Sequence, residues 1–195
     1  LLRRGRQIVI ARYLDRVTPI ELIVPLSSSK PDLSAEPRRG FIDRELLDAL
    51  STLRLTPSPA ADDATFLRRV TLDLSGRLPT AAAARALLAE TGPKKRQAVI
   101  DRLLASEEFS EYWTLQLAKL LRIHPGQQNR QGALKYHQWL HQQVRDNVGY
   151  DQLARSMILA AGDSHVVGPA NFYRTVNGPR KQAEFMSEVF MGSRL

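Results

Sequence analysis

A chain of 195 residues with 43% apolar and 25% charged residues, and 11 glycines and 11 prolines, has the makeup of a folded globular protein rather than a disordered one. It holds no cysteine, which excludes disulfides, thiolate nucleophiles, zinc–thiolate sites and covalent c-type haem attachment within these residues. The 28 Lys and Arg exceed the 20 Asp and Glu by a net +8, but the cations are dispersed from Arg3 to Arg194 among acids, without the clustered footprint of a nucleic-acid binder.

The chain opens Leu1-Leu2-Arg3-Arg4, with no initiator Met and no long apolar segment behind the charges, so the start does not read as a signal peptide. Both ends read as interior stretches of a longer protein, and Met191 to Leu195 follows a helical pattern without a settled stop. No apolar run reaches the ~18 residues that a membrane span needs.

Residues 1–26 alternate as strands do, over Ile8–Tyr13 and again over Pro19–Val24, with Asp15 and Arg16 between them as a turn. They predict a short β-hairpin, or the closing two strands of a β-sandwich whose earlier part lies outside this sequence, since a lone hairpin is marginal in water. Residues 27–40, SSSKPDLSAEPRRG, have no periodicity and predict a linker.

From Phe41 the period becomes helical, and 41–195 predicts a mainly α domain of seven or eight short helices. Ile42, Leu46, Leu47 and Leu50 form the first stripe. Asp62 or Asp63 caps the next helix, whose Phe66, Leu67 and Val70 point inward and whose stop is Gly76. Pro79-Thr80 restarts a helix through Leu88, and another runs from about Lys94 to Ala105. Ser106 caps a helix bearing Phe109, Trp113, Leu117, Leu120 and Leu121, which ends at His124-Pro125-Gly126 before a polar loop over 127–131. Ala133, Tyr136, Trp139, Leu140 and Val144 mark a sixth helix, Asp151 caps a seventh through Ala161, and a last one carries Ala183, Met186, Val189 and Phe190.

Few residues invite chemistry. His137 and His141 are spaced i,i+4 and could share a metal, but two histidines are too few ligands alone and no carboxylate lies between them. The acid pairs Asp62-Asp63 and Glu107-Glu108 sit where helix starts want them. No phosphate-binding glycine loop is present. Trp113, Tyr136, Trp139, Phe172 and Tyr173 could stack on a sugar or a haem, although aromatics at helical spacing favour the core. Asn171, Tyr173 and Arg174 lie in a Gly/Pro-marked loop where polar groups can converge on a ligand. Against that, Asn commonly serves local backbone bonds.

Three blocks in order, DDATFLRRVTLDLSGRLPT, AVIDRLLASEEFSEYW and GPANFYR, resemble the planctomycete-type cytochrome c–associated domain, a domain of unknown function found in large exported bacterial proteins. The resemblance runs from about Phe41 to Leu195. Residues 1–26, through RRGRQIVIARYLDRV, resemble the closing strands of a bacterial Ig-like group 2 domain. Ala83 departs from the family pattern, where many members carry a Glu that completes a capping box with Thr80.

The resemblance implies a periplasmic or cell-surface location and a c-type haem motif shortly after the segment like FMGSRL, so no cofactor is expected within this segment and haem is expected in the full-length protein. The leading expectation is thus a non-catalytic helical module, partnered by other domains of the same polypeptide, in an electron-transfer or polysaccharide-degradation context. A carbohydrate-binding or hydrolytic module using the Asn171–Arg174 loop is the alternative, with polysaccharide as partner. A basic nucleic-acid-binding domain comes last.

Overall fold

A computed structural model describes residues 3–124, 126 and 130–193. It is mainly α, as the periodicity predicts, with a two-stranded hairpin at the N-terminal end. The chain divides into two compact units, one running to Ala60 and one beginning at Ala61.

In the first unit, β1 (Gly5–Tyr13) and β2 (Arg16–Val24) pair antiparallel from Gly5↔Val24 to Tyr13↔Arg16. The turn is Leu14-Asp15, one residue earlier than the sequence suggests, because Arg16 is taken up opposite Tyr13. Leu14 carries the left-handed backbone that such a two-residue turn demands (φ 54°). Direct partners share a face, so Ile8, Ile10, Val17 and Ile23 lie on one side and Val9 and Ile20 on the other. All six are exposed.

Helix α1 (Phe41–Leu53) belongs to this same unit. It closes on the hairpin's exit through Leu26 N–H donating to Leu53 O (2.9 Å) and Arg54 Nη1 donating to Ser28 O (2.7 Å). Of its stripe only Leu47 is buried; Ile42 and Leu46 are exposed. The Ser/Pro segment between hairpin and helix is not featureless, since Leu33 is buried and Asp32 accepts from Ser34 N–H in a local turn (3.0 Å).

The second unit holds α2 (Asp63–Ser75), α3 (Ala81–Ala89), α4 (Lys95–Leu104), α5 (Glu107–Leu120), α6 (Arg130–Arg145), α7 (Tyr150–Ile158), α8 (Phe172–Thr175) and α9 (Pro179–Met191), with a 3-10 turn over Gly168–Asn171. The four-residue α8 is the one helix among the described residues that periodicity cannot register, being barely a turn long.

Among the described residues, three helix starts carry side-chain caps. Asp62 accepts from Thr65 N–H (2.7 Å), Thr80 from Ala83 N–H (3.1 Å) and Ser106 from Phe109 N–H (3.2 Å). The seventh start differs from expectation. Gly149 holds the cap position, so α7 begins at Tyr150 and Asp151 falls inside the first turn, where its charge faces the positive end of the dipole. Gly76 and Gly192 close α2 and α9 in the left-handed conformation (φ 66° and 63°), so the final helix does have a stop. The expected stop at Pro125 and the loop positions 127–129 lie outside the described residues, and α6 already starts at Arg130.

Two cores form. Leu67, Leu87 and Val99 join α2, α3 and α4, while Leu121, Tyr136, Leu140, Leu153, Met157, Phe172, Val176 and Phe185 join α5 to α9. Helix α5 contributes to the second core, and the face it buries is Ser110, Thr114 and Ala118 rather than its aromatic stripe. Helix α2 buries Thr71 and Ser75, whose hydroxyls donate back to Leu67 O and Thr71 O (2.7 Å each). Phe109, Trp113 and Leu117 of α5 line a depression with residues from the end of α6 and the start of α7.

Candidate functional site

The loop from Gly162 to Gly178 converges, but on itself. Asn171 is 2% exposed, and its amide donates to Ser164 O (2.7 Å) and Gly168 O (3.0 Å). Arg174 Nη1 donates to Ser164 Oγ (2.6 Å), and Tyr173 Oη donates to Ile158 O. Thus Asn171 and Arg174 meet at Ser164 within the loop, while Tyr173 turns away from them to tie the segment to the end of α7. Asn171 and Arg174 also line a cleft of about 210 Å³ with Arg122, His124, Tyr136 and Thr175. Arg122 is held there by its guanidinium lying over the Phe185 ring, 4.4 Å from the centroid.

The two histidines meet different surroundings. His137 is exposed, whereas His141 Nε2 lies 3.3 Å from Glu107 Oε1 at the start of α5. The described residues contain no group of three or more His, Cys, Asp or Glu placed to hold a metal.

The acid pair at the start of α2 divides its labour. Asp62 caps the helix, and its backbone bond from Thr65 holds its carboxyl below the usual range. Asp63 turns to α4, taking Lys95 Nζ at 2.5 Å and Arg96 Nε at 2.8 Å; bonds from Lys95 and Arg96 depress its pKa too. Arg96 further donates to Ala61 O (2.7 Å), so Asp63 and Arg96 fix the entry to α2. Both acids thus serve the start of α2.

The aromatics split. Trp139 stacks on the buried Tyr136 with centroids 5.8 Å apart, as a core residue does. Trp113, also expected in the core, is 37% exposed.

An apolar groove of about 530 Å³ opens between α7, α8 and α9, with Ile158, Phe172, Met186, Phe190 and Met191 among its walls. Ile158 is 50% exposed at the rim. The i,i+4 spacing of Met186 and Phe190 was visible in the sequence. That this stripe stays partly uncovered was not, because periodicity reports a face and not what covers it.

This architecture defines a small mainly α domain whose helices are capped and cross-tied, with an uncovered apolar groove beside its last helix. The chain matches the family PSCyt2, Protein of unknown function (DUF1549), over residues 41–193, and it belongs to that family, the planctomycete cytochrome c–associated domain. No curated protein and no solved structure matches the chain. No helix among the described residues is long and apolar enough to cross a membrane.

Proposed function

We propose that this domain is a non-catalytic helical module of a larger exported bacterial protein, in the periplasm or at the cell surface, and that α7, α8 and α9 wall a c-type haem site of the same polypeptide. The groove lined by Ile158, Phe172, Met186, Phe190 and Met191 carries this reading. Its walls are aliphatic, aromatic and thioether groups, which suit the burial of a porphyrin edge. The chain supplies no thiolate for covalent attachment, so its share is wall rather than anchor. Haem seated there supplies redox chemistry, and the domain excludes water from one edge of it.

Other domains of the same polypeptide are the natural partners. The exposed Ile8, Ile10, Val17, Ile20 and Ile23 on both hairpin faces support neighbouring strands, as in an Ig-like sandwich. The test is the visible spectrum of the full-length protein produced with c-type haem maturation. Absorption of the c-type is expected, and a colourless, haem-free mature protein would overturn the reading.

A further inference from the structure

A second depression lies where α5, the end of α6 and the start of α7 meet. It is about 170 Å³ and is lined from α5 by Phe109, Trp113 and Leu117, and from the end of α6 and the start of α7 by Gln143, Asn147 and Tyr150. Both rim aromatics are held in place while leaving surface open. Trp113 is wedged by Phe109 (6.2 Å, 42°) and Tyr112 (6.0 Å, 81°), and is 37% exposed. Tyr150 is fixed by its hydroxyl donating to Val189 O (3.0 Å) and by its ring on Phe190 (4.7 Å).

The polar groups at the rim are uncommitted. Among the described residues neither the Gln143 nor the Asn147 side-chain amide makes a hydrogen bond, and neither does the Trp113 indole N–H. The next amide along, Gln142, is by contrast spent on Asp146 (2.8 Å). Asn147 is set at the rim by the backbone itself, being left-handed (φ 50°) with its N–H on Val144 O (3.1 Å). No residue lining the depression is ionised, although the chain as a whole carries +8.

We propose that this depression binds one ring of a neutral saccharide, its C–H face stacked on Trp113 and Tyr150 and its hydroxyls met by Gln143, Asn147 and the Trp113 indole N–H. The chemistry follows from the parts. A pyranose offers an apolar face edged by hydroxyls, and it needs an aromatic platform flanked by groups that both donate and accept. Amides do both, whereas a charged lining would select an ionic ligand. A mostly apolar concavity with a few convergent polar groups is the general form of a small-molecule site. With no carboxylate in the lining, the site binds and does not cleave.

The test is titration of the chain, carrying Trp139→Phe so that Trp113 is the sole indole, with cellohexaose, xylohexaose, mannohexaose and chitohexaose, read by indole fluorescence and by calorimetry. At least one neutral oligosaccharide should saturate both signals. Trp113→Ala should weaken that binding about tenfold, the upper end of what an aromatic contact contributes. Asn147→Gly keeps the left-handed backbone, and Gln143→Met keeps the helix and the volume, so each removes an amide from a chain that still folds; each should weaken binding severalfold. No response to any of the four sugars overturns the proposal, and so does binding that survives the amide substitutions unchanged.

Discussion

Gly168 lies against Trp139 with no room for a side chain: a Cβ there would stand 2.5 Å from Trp139 Cβ and 2.7 Å from Lys135 O. This contact seats the 3-10 turn on α6 and so positions the loop that carries Asn171. Gly168→Ala should therefore push the turn off the helix and cost about 1–3 kcal/mol, the usual range for overpacking. Urea denaturation measures it; a change within about 0.5 kcal/mol, typical of surface positions, would contradict the packing described.

Asn171 makes the same loop rigid by polar means. Asn171→Ala leaves the carbonyls of Ser164 and Gly168 without their amide donor, which should cost about 1–3 kcal/mol. Asn171→Asp should be worse, because a carboxylate would face those carbonyl oxygens. Arg174→Ala, which releases only an exposed tie to Ser164 Oγ, should cost less than either. Equal stability of all three variants in the same denaturation series would refute the loop's construction.

The acid limb of stability should follow Asp62 and Asp63. Bonds that favour the carboxylate hold both below their ordinary value of 3.8, so they stabilise the fold above that value and lose the contribution as pH falls through their lower native values. Asp62→Asn keeps an equivalent cap and should be near neutral at pH 7, while flattening the acid-side loss. An acid-unfolding curve unchanged by the substitution would count against Asp62 as a contributor.

At the other extreme, burial raises Tyr136 far above its ordinary 10.0, and its hydroxyl donates to Met157 Sδ (2.8 Å). Unfolded tyrosine ionises near 10.0 while the native residue resists, so stability should decline as pH rises past that point. Tyr136→Phe removes this ionisation and a weak hydrogen bond. Its cost at pH 7 should be within about 1 kcal/mol, and its alkaline decline shallower. Parallel tyrosinate absorbance and circular dichroism titrations check both.

Much of the fold was legible because it is written in local chemistry. Asp62, Thr80 and Ser106 announce their helices through the oxygen each offers to an unpaired N–H, and Gly76 announces a stop. The buried face of α5 was not legible, since Ser110, Thr114 and Ala118 carry little apolar signal; a hydrophobic stripe identifies what is greasy, not which face a neighbour covers. For that reason Trp113 looked like core and is half open, while Trp139, with the same spacing logic, is packed on Tyr136. At the loop, residue type and Gly/Pro context placed Asn171, Tyr173 and Arg174 together. Their bonding to Ser164, Gly168 and Ile158 depends on how α7 and the 3-10 turn meet, which no single stretch of sequence encodes.

The haem-wall reading is tested most directly by the reduction potential of the full-length holoprotein against its Ile158→Lys variant. Ile158 stands half exposed on the rim of the α7–α9 groove, so a lysine there is tolerated by the fold and places a cation beside whatever occupies the groove. A cation near haem favours the less positive ferrous state, and the account predicts a higher potential in the variant, lessened at high ionic strength. A protein that binds no haem, or a potential identical in the two forms, would contradict it.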